Sequence, residues 1–266
     1  MERPLRFWRA GRSLTRCSHT LPAMHSDSRA ALITGGSSGI GLAIGRALGE
    51  DGYGITLSAR RPDKLENAAR ELAGEGIEVH SVAANMADED EIKKAVAGHR
   101  ERFGRLDVLI NNAGIGIGSA VADTETKKLD LQLDVNLRAV YLVARECIPM
   151  LKEAGAEHGK ALIANTASIA GKRGQGWLSA YSATKFGVVG LSQAMHKELS
   201  GDGIQVTALC PGFVATAMTD WVAGQVPKEN MIQPRDIAES IRFLLRTSPN
   251  CLVPELQFIR PGDGDG

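Results

Sequence analysis

From residue 30 onward, short apolar runs alternate with longer stretches of mixed apolar and polar residues. The first run, Ala30-Ala31-Leu32-Ile33, ends in a cluster of glycines. Comparable runs at 54–58, 77–82, 106–110, 161–164, 204–209 and 256–259 predict six further strands. Between them, 41–50, 63–73, 88–103, 124–154, 180–199 and 234–245 read as helices. Strands separated by helical stretches imply right-handed crossovers and a parallel sheet. The expected fold is therefore α/β, one doubly wound parallel sheet with helices on both faces. No repeat, low-complexity segment or linker divides this region, so 29–266 reads as a single domain. The ending Pro261-Gly262-Asp263-Gly264-Asp265-Gly266 is expected to fray.

Residues 1–28 break the pattern. Arg3, Arg6, Arg9, Arg12 and Arg16 face one acid, Glu2, before Met24. Arginine-rich and acid-poor, the segment has the composition of a mitochondrial transit peptide. Arginines three apart step by about 300° on a helix of 3.6 residues per turn, so they leave no clean apolar face. A disordered extension, or a start at Met24, is the plainer reading. With 266 residues the chain is long enough to bury a substantial core. Formal net charge is +0, which argues against a nucleic-acid partner. No apolar run approaches the roughly 18 residues of a membrane helix. Cys17, Cys147, Cys210 and Cys251 are far apart, with no CxxC pair and no metal-type spacing. Reduced thiols in a reducing, cytoplasmic compartment are expected, or in mitochondria if residues 1–28 are a transit peptide.

The glycine cluster is Thr34-Gly35-Gly36-Ser37-Ser38-Gly39-Ile40-Gly41. Without Cβ atoms, Gly35, Gly39 and Gly41 permit a tight turn and close backbone approach to a pyrophosphate. The helix that follows supplies unpaired N–H groups and partial positive charge. Glycines also make ordinary turns; the strand–loop–helix context favours a Rossmann-type nucleotide loop. In such a fold an acid ending the second strand would bond the ribose 2′-OH of NAD, whereas an arginine suits the 2′-phosphate of NADP. Here the chain reads Ser58-Ala59-Arg60-Arg61, with no acid before Asp63. Arg60 and Arg61 are either solvated surface charges or a phosphate fork, to which Ser37 or Ser58 adds a hydroxyl. The missing acid favours NADP(H). Asn111-Asn112-Ala113-Gly114 follows the fourth strand, and at a strand's carboxyl end it lines the ligand crevice unless it is a plain turn.

Tyr181-Ser182-Ala183-Thr184-Lys185 puts a phenol and an ammonium four residues apart on one helical face. Free tyrosine titrates near pH 10, and a nearby cation favours phenolate. Ser168 follows strand five, where its hydroxyl can bond a substrate oxygen that gains charge during hydride transfer. Alone, Tyr-x-x-x-Lys is an ordinary helix-surface pair. Downstream of a nucleotide loop, it suits a dehydrogenase or reductase.

These residues together resemble the short-chain dehydrogenase/reductase family over about 30–260. The matching motifs are Thr34-Gly35-x-x-x-Gly39-Ile40-Gly41, Asn111-Asn112-Ala113-Gly114, Ser168, Tyr181-x-x-x-Lys185, Pro211-Gly212 and Thr216. The resemblance implies an oxidoreductase moving hydride between NADP(H) and a ketone or aldehyde and its alcohol. Tyr181 would be the general acid/base, Ser168 would polarise the carbonyl, and Lys185 would bind the nicotinamide ribose and lower the tyrosine pKa. Asn136 would hold a water of the proton relay. The cofactor would further touch Ser37, Ser38, Arg60, Arg61, Asn112, Ala113, Gly114, Pro211, Gly212, Val214 and Thr216, the last at the carboxamide. Asn85-Met86 stands where the family has an adenine-contacting aspartate, and Ile259-Arg260-Pro261-Gly262 replaces its Asp-Gly-Gly. Trp177, Phe213 and Trp221 flank the expected substrate position and read either as an apolar wall or as core or surface packing, and a short lid is expected at about 219–233. The resemblance also implies a homodimer or homotetramer, assembled through the helices near 124–154 and 180–199; Val188, Val189 and Leu191 either face outward to a partner or are core. The rival reading is a nonenzymatic NADP-binding regulator on the same fold.

Overall fold

The structure, a computed structural model, describes residues 29–262. The arginine-rich segment 1–28 and the last four residues lie outside the described residues. Seven strands run in chain order: β1 Ala30–Thr34, β2 Gly54–Ala59, β3 Val79–Ala83, β4 Val108–Asn111, β5 Ala161–Thr166, β6 Ile204–Pro211 and β7 Glu255–Phe258. The helices are α1 Gly39–Glu50, α2 Pro62–Gly74, α3 Glu89–Phe103, α4 Thr126–Leu133, α5 Ala139–His158, α6 Ser179–Leu199 and α7 Pro234–Arg246. All strands are parallel, in the order β3-β2-β1-β4-β5-β6-β7. The expected doubly wound α/β sheet is the fold observed.

Every residue of β1, β2, β4, β5 and β6 is buried. Helices cover both faces, so these strands carry continuous apolar runs rather than alternation. Successive side chains still part to opposite faces. Ile33 joins Ile44, Leu48, Leu57, Leu72, Ile237 and Ile241 on the α1, α2 and α7 side. Leu32 joins Ile92, Leu109, Val143, Ile163 and Val206 on the α3, α5 and α6 side.

Three boundaries differ from expectation. Strand β3 begins at Val79, because Ile77 is used in closing α2. Gly76 takes a φ of 84°, the Ile77 N–H donates to the Leu72 carbonyl, and the Ile77 side chain presses on Gly49. The helix expected at 124–154 is α4 and α5 joined by a π-helical turn, Asp134–Arg138, and it runs four residues further to a left-handed Gly159. The lid expected at 219–233 is two 3-10 turns, Ala217–Val222 and Lys228–Asn230, with a small core of Val222, Val226 and Met231.

Of the two readings of α6, the structure shows the core one for Val188 and Val189. Val188 and Val189 are buried against Ala167, Ala208 and Cys210, and Leu191 is half-buried. Tyr141 of α5 and Phe186 of α6 are the exposed apolar residues instead, 53% and 46% accessible. No helix among the described residues is long and apolar enough to cross a membrane.

One buried titratable group ties α3 to the sheet. His99 is fully buried; its Nε2–H donates to the Arg105 carbonyl at 2.8 Å and its Nδ1 accepts from the Thr56 hydroxyl at 2.8 Å. Burial lowers its pKa from 6.5 to about 4. The unfolded chain then binds the proton first as pH falls. Stability is full above about pH 6.5 and is lost toward about pH 4, by roughly 3 kcal/mol from this group. Substitution His99→Gln, which cannot titrate, is expected to flatten the fall in chemical-denaturation stability between those limits. An unchanged pH slope would contradict this assignment.

Candidate active site

Ligands of open parallel sheets lie beyond the carboxyl ends of the strands, and the sequence-predicted residues converge there. The loop from β1 to α1 turns through left-handed glycines, Gly35 at φ 67° and Gly39 at φ 56°. It is pressed tightly on its neighbours. A Cβ on Gly35 would meet Ala113 at 2.9 Å, one on Gly39 would meet Thr216 at 2.9 Å, and one on Gly41 would meet the Gly35 carbonyl at 2.5 Å. The glycines thus bring together three segments far apart in sequence.

Hydrogen bonds lock this junction. The Thr34 hydroxyl accepts from the N–H groups of Asn112 at 3.0 Å and Ala113 at 3.1 Å. Asn112 Nδ2 donates to the carbonyls of Thr34 and Gly35, and its Oδ1 accepts from the Thr166 hydroxyl, each at 3.3 Å. Ser38 occupies the N-cap position of α1 without a side-chain capping bond. The first-turn N–H groups have no intrahelical partner. Ser37 and Ile40 are half-buried beside them.

At the end of β2 the Ser58 carbonyl accepts from the Gly36 N–H at 3.1 Å, while its buried hydroxyl has no partner. Arg60 and Arg61 follow, both exposed, and neither forms an ion pair within the described residues. Beyond β3, the Asn85 amide oxygen accepts from the Ala87 N–H at 3.2 Å, and the Met86 side chain turns into the core. The Met86 side chain therefore belongs to the core cluster rather than to the crevice.

Ser168 leaves β5 in an extended conformation. Its hydroxyl donates to the Pro211 carbonyl at 3.4 Å and accepts from the Ala170 N–H at 3.1 Å. Tyr181 sits in the first turn of α6, near enough to Ser168 for that hydroxyl to influence its phenol. Lys185, one turn on, is buried, and its Nζ donates to the Thr166 carbonyl at 2.7 Å. That Nζ stands 5.6 Å from the centre of the Tyr181 ring. Asn136 lies in the π turn, where its amide clamps the main chain of Ile115. Its Oδ1 accepts from the N–H and its Nδ2 donates to the C=O, both at 2.8 Å, with Thr184 Oγ1 at 3.2 Å. The Asn136 side chain is therefore committed to positioning the 114–115 backbone. Gly114 passes between Asn136 and the Lys185 ammonium.

Burial dominates the electrostatics. It pushes the Tyr181 phenol above its ordinary value, with the Ser168 hydroxyl pulling it back. It lowers Lys185 to about 8. The Lys185 ammonium is bonded to the Thr166 carbonyl.

Pro211 and Gly212 end β6, and the Gly212 N–H bonds the Phe258 carbonyl of β7 at 2.8 Å. Val214 is buried and bridges to Ile232. Thr216 caps the following 3-10 turn through reciprocal bonds with Thr219. The three aromatics named from the sequence do meet: Trp177 lies 5.9 Å from Trp221, and Phe213 6.1 Å from Trp221, centre to centre. A separate concavity of about 680 Å³ opens at the amino ends of β5 and β6, lined by Lys152, Gly155, Asp202, Gln205 and Pro249, on the far edge from Tyr181.

Sequence reading missed Thr166 and Asn165. Both extend the apolar run of β5 as polar residues, and Asn165 joins Asn111 to Ser192 beneath the site. Polar residues at the end of an apolar strand were the available signal.

The uncapped helix end, the glycine turn and the partnerless Ser58 hydroxyl fit a dinucleotide. A family model described as short chain dehydrogenase matches residues 29–225. The chain belongs to the short-chain dehydrogenase family. It is 37% identical over 242 residues to a putative ketoacyl reductase of Streptomyces coelicolor, covering 82% of this chain and 90% of that one. It is 34% identical over 228 residues to a 3-oxoacyl-[acyl-carrier-protein] reductase of Staphylococcus aureus, covering 82% and 90%. Among solved structures it is similar to actinorhodin polyketide ketoreductase with NADPH, at 34% identity and a TM-score of 0.79, covering 87% of this chain and 95% of that one. A 3-ketoacyl-(acyl-carrier-protein) reductase from Brucella melitensis, complexed with NADH, has 32% identity and a TM-score of 0.79, covering 86% and 96%. Short-chain dehydrogenases are oxidoreductases, and of these two solved structures one contains NADPH and the other NADH.

Proposed function

We propose that this short-chain dehydrogenase interconverts a ketone or aldehyde and its alcohol with NADP(H), and that Tyr181 is the general acid/base. The observation that carries the reading is the convergence of Ser168, Tyr181 and buried Lys185 beyond the carboxyl ends of β5 and β6, with the Lys185 Nζ 5.6 Å from the centre of the Tyr181 ring. The nicotinamide supplies or accepts the hydride. In carbonyl reduction the Tyr181 phenol gives its proton to the substrate oxygen, and Ser168 donates a second hydrogen bond to it. A raised phenol pKa keeps that proton in place at neutral pH. Lys185, with a pKa of about 8, is mostly charged there and its ammonium holds the nicotinamide ribose. Asn136 acts through Ile115, fixing the backbone that faces Lys185. The first turn of α1 with Ser37 and Ser38 receives the pyrophosphate, Asn85 the adenine, and Thr216 the carboxamide.

NADP(H) is favoured over NAD(H) by what ends β2. No acid stands there to bond a ribose 2′-OH, Arg60 is exposed without an ion-pair partner, and the Ser58 hydroxyl is unpaired. A charged hydrogen bond contributes about 1.5–3 kcal/mol, or roughly tenfold to a hundredfold in affinity. A screen of carbonyls and alcohols, followed by NADPH absorbance, is expected to find a substrate. Arg60→Ala should then raise KM for NADPH at least about tenfold and leave KM for NADH nearly unchanged. Equal efficiency with both cofactors in the unsubstituted protein would overturn the preference. Tight NADPH binding with no turnover across the screen would favour a regulator.

Cys147, Cys210 and Cys251 are unpaired, which supports a reducing, cytoplasmic setting. Exposed Tyr141 and Phe186 support a homodimer or homotetramer through α5 and α6. Gly187 beside Phe186 lets Leu137, one turn before Tyr141, pack directly on α6. Light scattering is expected to give two or four times the 28.3 kDa chain mass; a value near 28.3 kDa would contradict assembly.

A further inference from the structure

The two hydroxyls of the site stand between short segments that each lead to an aromatic ring. On one side, Gly116 lies against the Tyr181 ring, where an added Cβ would be 3.9 Å from two ring carbons. Two residues on, Gly118 supports the Trp177 indole so closely that a Cβ there would fall 2.2–2.4 Å from three of its carbons. Two residues span at most about 7 Å, so the indole rests on the same segment within that distance of the phenol's support. On the other side, Ser168 donates to the Pro211 carbonyl, and Phe213 is two residues further. Trp221 joins the sides, packed edge-on to Phe213 with planes at 79° and tilted at 56° to Trp177.

The arrangement is held against ordinary preferences. Trp177 has a φ of 65°, the one non-glycine residue with positive φ among the described residues. Bulky residues rarely take that conformation, and such strain clusters at functional sites. The Ser119 N–H secures it by donating to the Trp177 carbonyl at 2.8 Å, in a parallel bridge between Ser119 and Leu178. Yet the strain buries little: Trp177 and Trp221 remain 57% exposed, with Met218 beside them at 47%. Asp220, next to Trp221, is paired with Lys228, so the neighbouring charge is already balanced.

We propose that Phe213, Trp221 and Trp177 form an aromatic arch that receives the non-reacting end of the substrate and selects ketones carrying an aromatic ring a few bonds from the carbonyl. This rests on the carbonyl–alcohol reading above. Offset and edge-to-face ring contacts add to the burial of the ring itself. A substrate ring closing the arch would cover the exposed indoles while its carbonyl reaches Ser168 and Tyr181.

A matched pair of ketones tests this: benzylacetone, which is butanone bearing a phenyl ring at its far carbon, and butanone. With the full chain and NADPH, kcat/KM is expected to favour benzylacetone at least tenfold. Trp221→Ala should cut that ratio at least tenfold, mainly through KM for benzylacetone, and Trp221→Leu should cut it less. Binding is read separately in the Tyr181→Phe protein with NADP⁺, where benzylacetone should quench tryptophan emission. Two of the chain's three tryptophans lie in the arch. Turnover of both ketones at equal efficiency, or a ratio unmoved by Trp221→Ala, overturns the arch and leaves the carbonyl chemistry standing. Quenching without turnover of either ketone keeps the arch and counts against the proposed reaction. Neither quenching nor turnover overturns both.

Discussion

Asn112 holds the site together. Three parallel strands end side by side at the crevice, and the backbone groups beyond them have no ladder partner. Buried groups of this kind must find one. The Asn112 amide bonds the carbonyls of Thr34 and Gly35 after β1 and the Thr166 hydroxyl at the end of β5, while its own N–H bonds Thr34. The Thr166 carbonyl in turn accepts from Lys185. One connected set of hydrogen bonds therefore runs from the glycine turn to the buried ammonium. The glycine turn and Lys185 are set relative to each other through one side chain, Asn112.

Much of this was legible in the sequence because a parallel sheet buried on both faces writes itself as apolar runs. All seven strands and the order of elements could be read that way, as could the glycine turn, whose residue type follows from close backbone approach. What escaped were features without an apolar signal. The last residues of β5, Asn165 and Thr166, are polar because they finish the strand at the crevice, and an apolar-run criterion stops short of them. The π turn around Asn136 has no composition of its own; it exists because an amide there can clamp Ile115. Ile77 looked like the start of a strand, yet its apolar side chain serves the end of α2. Val188 and Val189 are equally apolar whether they face a core or a partner, and only packing showed the core.

Burial gives the two titrating groups of the site opposite pushes. The phenol is held protonated and the ammonium is held closer to neutrality than in water. Both follow from removing charge from solvent, and both suit a site that donates a proton to a developing alkoxide. The lysine anchors on the Thr166 carbonyl at the edge of the crevice. The aromatic residues overhead are placed by Gly118, by one strained tryptophan and, for Phe213, by packing on the small core of Val222, Val226 and Met231.

The central claim is that the Tyr181 hydroxyl moves the substrate proton. Tyr181→Phe removes that oxygen and keeps the ring, so it tests the claim most directly. With a carbonyl substrate in hand, single-turnover reduction and NADPH affinity should be measured on the same preparation. The account requires turnover to fall by the roughly 10²–10⁴-fold that general acid–base catalysis contributes, with NADPH affinity nearly unchanged because the glycine loop and Lys185 remain. Full turnover in the phenylalanine variant would contradict it.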